Sequence, residues 1–237
     1  MRLISWNCQR GFLRKEKHEK ILNLMPDIAL IQECIHPSSL KDTLKHNDAI
    51  WVGKADGIGL GVFSFSKDIE LTLLVDEMKY EWIVPIKVSG MVDFVLIAVW
   101  TKRLPGVSYG KVLYSALEEY QHFFLNNQVM VVGDFNIDQK LPASYSGIQG
   151  REGFNKIIEL LGSHEIESCY HHIYKESFGS EKKGTYYHHK KIDKPFHIDY
   201  CFVSKEILKS TQTFTMGEKE EWRELSDHVP LILETSI

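Results

Sequence analysis

Little in this sequence points to export, to a membrane or to binding by charge alone. It has four cysteines, at positions 8, 34, 169 and 201, and none stands in the Cys-x-x-Cys spacing of a thiolate metal site or redox pair. We read them as reduced, mostly buried thiols. No apolar run approaches the roughly 18 residues of a membrane-spanning helix, so no membrane span is expected. The opening Met1-Arg2-Leu3-Ile4-Ser5-Trp6-Asn7 has one basic residue and an apolar stretch that stops at Trp6. That is too short for a secretory signal, and a cytoplasmic location is expected. Positive charge is not in excess: 28 Lys and Arg face 32 Asp and Glu, a formal net charge of −4. A protein that holds nucleic acid by charge alone is normally basic. An enzyme whose acids gather around a metal ion is not excluded by this balance. Repeats and low-complexity tracts are also missing, which excludes a solenoid.

The hydrophobic fraction is 43% and the charged fraction 25% over 237 residues, ordinary for a globular chain of one large domain or two small ones. Short apolar, β-branched runs alternate with helical patterns. Strands are expected at Arg2–Trp6, Ile28–Gln32, Gly59–Phe65, Trp82–Val88, Phe94–Trp100, Val129–Val132, Thr185–His188, His197–Val203 and Val229–Leu233. Helical spacing runs over Lys15–Leu24, closed by Met25-Pro26, over Tyr109–Leu125 and over Glu152–Leu161. Several strands read as apolar on both faces, which suits burial between layers. Two packed sheets covered by helices would account for the pattern.

Polar residues at the strand ends are the informative feature. Asn7 ends the first strand and Glu33 the second. Asp134 and Asn136 follow Val129–Val132, Asp199 sits inside the strand from His197, and Asp227 and His228 precede the last strand. A single strand-end Asp or Asn is most often a turn residue or a cap. Five such placements in one chain are hard to attribute to turns. Carboxylates beside buried strands are costly unless paired or bound to a cation. Oxygen donors of this kind suit magnesium, or manganese, better than zinc, which favours cysteine and histidine.

These residues resemble the motifs of the endonuclease/exonuclease/phosphatase superfamily: Trp6-Asn7, Gln32-Glu33, Gly133-Asp134-Phe135-Asn136, Ile198-Asp199-Tyr200 and Ser226-Asp227-His228-Val229-Pro230, in that order from Asn7 to Pro230. The resemblance implies a single domain over residues 1–237 with a four-layered α/β sandwich fold, two packed mixed β-sheets flanked by helices. It implies a Mg2+-dependent phosphodiesterase (Mn2+ being an alternative ion) acting on nucleic acid or another phosphodiester. By the same resemblance Glu33 is the principal metal ligand, helped by Asn7 and Asp227. Asp134 takes the proton of the attacking water, Asn136 holds the water or a phosphoryl oxygen, His228 contacts the scissile phosphate and Asp199 fixes its tautomer.

The sequence departs from the family at Trp100, where nuclease members carry a Tyr or His that contacts phosphate. Three readings stay open: Trp100 donates from its indole or stacks on substrate, Lys102 replaces the missing polar group, or Trp100 only packs. Glu81, which would pair with such a His, reads as structural or solvated. Two basic clusters are candidate rims for substrate. One is Arg10, Arg14, Lys15 and Lys17. The other includes Lys182, Lys183 and His188 through Lys191, with tyrosines between. The acidic run Glu218–Glu224 would repel a long polyanion placed beside it. Competing readings are a phosphomonoesterase or phospholipase C-like hydrolase of the same fold, and an inactive binding protein on this scaffold.

Overall fold

In the computed structural model, which describes all residues except 41–43, 55–56, 141–147, 192 and 194, two six-stranded mixed sheets form the body of the molecule. The first has the order β13 (Thr211–Met216), β14 (Leu231–Thr235), β1 (Arg2–Asn7), β2 (Ile28–Ile35), β4 (Ile58–Ser64) and β3 (Asp48–Gly53). The second has β5 (Ile69–Leu73), β6 (Ile83–Gly90), β7 (Phe94–Trp100), β8 (Val129–Asp134), β12 (Asp199–Ser204) and β9 (Ile166–Ser168). A short ribbon pairs β10 (Tyr186–Tyr187) with β11 (Pro195–Phe196). The helices are α1 (Lys15–Leu22), α2 (Tyr109–Tyr120), α3 (Ile148–Ser163), α4 (Cys169–Tyr174), α5 (Lys205–Ser210) and α6 (Lys219–Trp222). The expected sandwich of two sheets and flanking helices is the observed one.

β7 explains why its sequence is apolar throughout. Phe94, Leu96, Ala98 and Trp100 join one core with side chains of both sheets. Val95, Ile97 and Val99, pointing the other way, join a second core with Leu113 and Leu117 of α2 and Phe154 and Ile157 of α3. A strand with apolar layers on both faces has no solvent side to alternate toward. The expected helix to Leu125 stops earlier, at Tyr120, and tightens into a 3-10 turn over Gln121–Phe124. There Gln121 Nε2 donates to Glu118 O (2.8 Å) and a ring nitrogen of His122 bonds Glu119 O (2.8 Å), satisfying carbonyls the α-helix would have used.

Strand direction places the site. β1 and β2 are parallel, as are β7 and β8. Asn7, Trp100 and Asp134 are therefore the last residues of their strands, and Glu33 lies near the end of the apolar part of β2. β12 runs antiparallel to β8, so its first residue, Asp199, lies directly opposite Asp134. β14 runs antiparallel to β1 and is preceded by Asp227 and His228. The chain thus delivers its polar residues to one end of both sheets.

All four cysteines are free and buried. Lys17, expected on a basic rim, is instead buried; it donates to Cys8 O and, at 2.8 Å, to Arg10 O. Its stem packs inward while its charge staples the loop after β1. No helix among the described residues is long and apolar enough to cross a membrane.

A buried polar group under the ribbon sets an acid limit on stability. His197 is 2% exposed, and burial pushes its pKa down to about 4, against the opposing pull of its bond with Lys183 O and of Glu181. The unfolded chain takes up this proton near pH 6.5, the folded one only near pH 4, so this contribution is complete above pH 6.5 and declines as pH falls to 4. The loss is on the order of 3 kcal/mol. Urea denaturation of the protein and of His197→Asn at pH 7 and pH 4.5 checks this: wild type should lose most of that amount relative to the variant. An unchanged difference would disprove it.

Candidate active site

Three backbone devices build the site. β2 carries a bulge between Gln32 and Cys34, and Glu33, the extra residue, has φ of 57°. A bulge with a left-handed non-glycine residue re-aims a side chain that regular alternation would send elsewhere. At the end of β8, Gly133 has φ of 140° and Asn136 of 56°, which turns the chain sharply after Asp134. On the third side, Ser226 Oγ donates to Asn7 O (2.7 Å) and accepts from His228 N (3.0 Å). Trp6 Nε1 also donates to His228 O (3.0 Å). The Ser226–His228 turn is thereby tied to β1 at two points.

Asp134 lies at the centre and is 1% exposed. Its Oδ2 accepts from Asn7 Nδ2 (3.0 Å) and Asn136 Nδ2 (3.0 Å), and its Oδ1 from Asn136 N (2.9 Å). Burial and the facing Asp199 carboxylate push its pKa up to about 7, against the opposing effects of His228 and of the Asn7 and Asn136 donors. A ring nitrogen of His228, Nδ1, meets Asp199 Oδ2 at 2.9 Å. Burial alone would lower the His228 pKa; the charge of Asp199, their hydrogen bond, and then Asp134 and Asp227 outweigh it and raise it to about 10. His228 is therefore cationic at neutral pH, and Nε2 is the nitrogen left for a ligand. Thr185 Oγ1 accepts from the backbone N–H of both Ile198 and Asp199 (3.0 Å each), fixing the start of β12.

A cleft of about 370 Å³ lies over this cluster, and its wall includes Asn7, Glu33, Asp134, Asn136, Asp227 and His228. The structure thus brings these six expected residues to one place, with Asp199 behind His228. Among the described residues, Asp134, Asp199 and His228 form one group close enough to share an ion, each offering an atom within 4.8 Å of the others. We do not assign the ion there, because two of the three already satisfy each other. The cleft wall offers hard oxygen donors at Asn7, Glu33 and Asp227 and no cysteine, a donor set that fits magnesium or manganese. Asn7 is partly committed, since its Oδ1 accepts from Gln9 N (3.0 Å). Asn136 is more so: its Nδ2 also reaches Thr101 O (3.2 Å), so it orients Asp134.

The expected substrate contacts are dispersed. Trp100 and Lys102 are on the cleft wall, but Trp100 is 1% exposed and packs against Trp82 at 5.3 Å between centroids. Of the readings left open for Trp100, packing describes its indole. Arg10 is exposed and leans on Glu33, Nε to Oε2 3.9 Å. His188 is outside the cleft lining; its Nδ1 meets Tyr186 Oη at 2.9 Å, and the Tyr186 ring lies 4.9 Å from that of His228. Glu81 is exposed. Tyr186, from the aromatic stretch of the expected basic rim, is on the cleft wall. The bracing bonds of Thr185 Oγ1 to β12 and of Ser226 Oγ to β1 were not legible in the sequence, although Ser226 stands just before Asp227-His228.

Comparison with solved structures finds the same fold in several other proteins. A 3′ phosphatase from Neisseria, solved bound to a product DNA hairpin, aligns over 100% of both chains with a TM-score of 0.73 and 19% identity. An AP endonuclease from Archaeoglobus fulgidus aligns over 100% of both chains at 0.70 and 15%. A 3′-5′ exonuclease from Neisseria meningitidis does so at 0.72 and 19%. At these identities the likeness establishes the fold. No protein-family model and no curated protein matches the chain.

Proposed function

We propose that this chain is a divalent-metal-dependent phosphoesterase that hydrolyses phosphodiester bonds, with nucleic acid as its substrate. The observation that carries the reading is the buried Asp134, held by three donors and raised toward neutrality, beside a cationic His228 under an oxygen-lined cleft. A group poised near the working pH can take a proton from water, and a fixed cation can stabilise charge on a phosphoryl oxygen. In this reading Asp134 binds and deprotonates the attacking water, with Asn7 and Asn136 holding its carboxylate in place. His228, pinned through Nδ1 by Asp199, presents Nε2–H to the phosphate. Glu33, Asn7 and Asp227 would hold a magnesium or manganese ion, which supplies charge neutralisation at the phosphate. Nucleic acid is favoured because the aligned 3′ phosphatase is bound to a DNA product and the others are named as nucleases.

The test is hydrolysis of bis-(p-nitrophenyl) phosphate, then of plasmid and of single- and double-stranded oligonucleotides, with magnesium, with manganese and with chelator. Cleavage that chelator abolishes is expected. Glu33→Gln should lower the rate about a hundredfold or more at millimolar metal, since a bound ion supplies several kcal/mol of charge stabilisation. Cleavage insensitive to chelator and to Glu33→Gln would overturn the assignment.

A further inference from the structure

Lys102 stands two residues beyond the end of β7, on the cleft wall with Glu33, Asp134 and His228. Its ammonium lies 3.5 Å from the centroid of the Trp100 ring and 5.6 Å from that of Trp82. The two indoles pack on each other at 56°. Burial lowers the Lys102 pKa, while Glu33 and Asp134 raise it and Arg10 lowers it. Among the described residues its ammonium is in ion-pair contact with no carboxylate.

A lysine is a flexible point charge and is ordinarily hard to fix in position. An aromatic face attracts an ammonium through its quadrupole without neutralising it or giving it a directional acceptor. A carboxylate partner would consume the charge and at least one N–H. The indole partner leaves both for a ligand. The cleft also needs such a group. The Glu33, Asp134 and Asp227 carboxylates on the wall repel a phosphate, Arg10 is drawn toward Glu33, and His228 is the other cation on the wall.

We propose that Lys102 is the residue that binds the phosphate undergoing cleavage, and that Trp100, backed by Trp82, is a positioning residue that holds the Lys102 ammonium in the cleft. The position thus works as a pair: an indole that is itself buried, and a cation two residues on that uses it as a platform. The proposal rests on the phosphoesterase reading, and the experiment keeps their failures apart.

The experiment is a double-mutant cycle read by kcat and KM on the phosphodiester the protein cleaves, together with calorimetric binding of inorganic phosphate. Lys102→Met should lower kcat/KM by about ten- to a hundredfold and weaken phosphate binding about tenfold, charge-assisted contacts being of that size. Lys102→Arg should recover part of both. Trp100→Leu should cost about tenfold, Trp100→Phe less because it keeps a ring face, and Trp100→Leu with Lys102→Met no more than Lys102→Met alone. Equal activity and phosphate affinity in Lys102→Met and wild type would overturn the Lys102 assignment. Trp100 and Lys102 effects that simply multiply would overturn the platform. If Trp100→Leu does not fold, Trp100→Phe closes the cycle. If wild type cleaves no phosphoester with any metal, the phosphoesterase reading fails, and phosphate binding in wild type and Lys102→Met still decides whether Lys102 holds the anion.

Discussion

Asp134→Asn should fold and yet lose at least about a hundredfold in hydrolysis, the contribution expected of a general base. The size follows from the way the carboxylate is held. Its two oxygens accept three N–H donors: Asn7 Nδ2 and Asn136 Nδ2 on Oδ2, Asn136 N on Oδ1. A carboxylate can only accept; an amide offers one accepting oxygen and one NH2. In either flip the new NH2 faces a donor. Turned to the Oδ2 side it opposes two side-chain amides, and turned to the Oδ1 side it opposes a backbone N–H. The variant therefore loses its base and at least one of the bonds that aim the group. Removing the charge relieves the repulsion with Asp199, so the fold is not expected to suffer in proportion. Single-turnover hydrolysis alongside a urea melt separates the two effects. A rate within tenfold of wild type in a folded Asp134→Asn would move the base to another residue, and the same assay on Asp199→Asn would then show whether it is Asp199.

What the sequence reveals depends on how many faces of an element are buried. β2, β7 and β8 were legible because apolar layers lie on both sides and leave unbroken apolar runs. β3, β5, β9 and β13 were not read at all, and these four are the edge strands of the two sheets. β5, for instance, buries Ile69 and Leu71 but exposes Glu70, Thr72 and Leu73, so its pattern is too short and too polar to stand out from loop. The acids and His228 were legible for the opposite reason, being polar residues placed where apolar strands end. Their geometry was not. Whether Glu33 points into the cleft depends on a bulge, and sequence does not announce a single extra residue in a ladder. Lys17 misled for a related reason: its charge suggested a solvated rim, while its long stem let it reach two inward carbonyls. Trp100 was visible as a departure, but only the packing of Lys102 on its ring gives that departure a physical meaning.

Gly133→Ala should be strongly destabilising, on the order of 3 kcal/mol or more, because it combines backbone strain with a collision. Gly133 has φ of 140°, a conformation L residues avoid, and a Cβ built on it would lie 1.9 Å from Val99 O and 2.8 Å from Val99 C. Val99 is its partner across the parallel β7–β8 ladder, so the clash falls on backbone that cannot rotate away. Neither strand can retreat: β7 is flanked by β6 and β8, and β8 by β7 and β12. The same Cβ would come within 3.0 Å of Gln32 Nε2, which donates to Ser5 Oγ (3.0 Å) in the first sheet. Any relief of the clash must part β8 from β7 at Trp100 and Asp134, the last registered pair of that ladder. Whatever fraction folds should therefore also lose activity. Gly106 supplies the control, with φ of 72° and nothing within 4 Å of the place a Cβ would take; Gly106→Ala should cost only about 1 kcal/mol, the left-handed penalty by itself. Urea denaturation of both variants gives the comparison. If Gly133→Ala proved no more destabilising than Gly106→Ala, the ladder would have to be looser at its cleft end than its packing implies, and the rigid aim of Asp134 would lose its support.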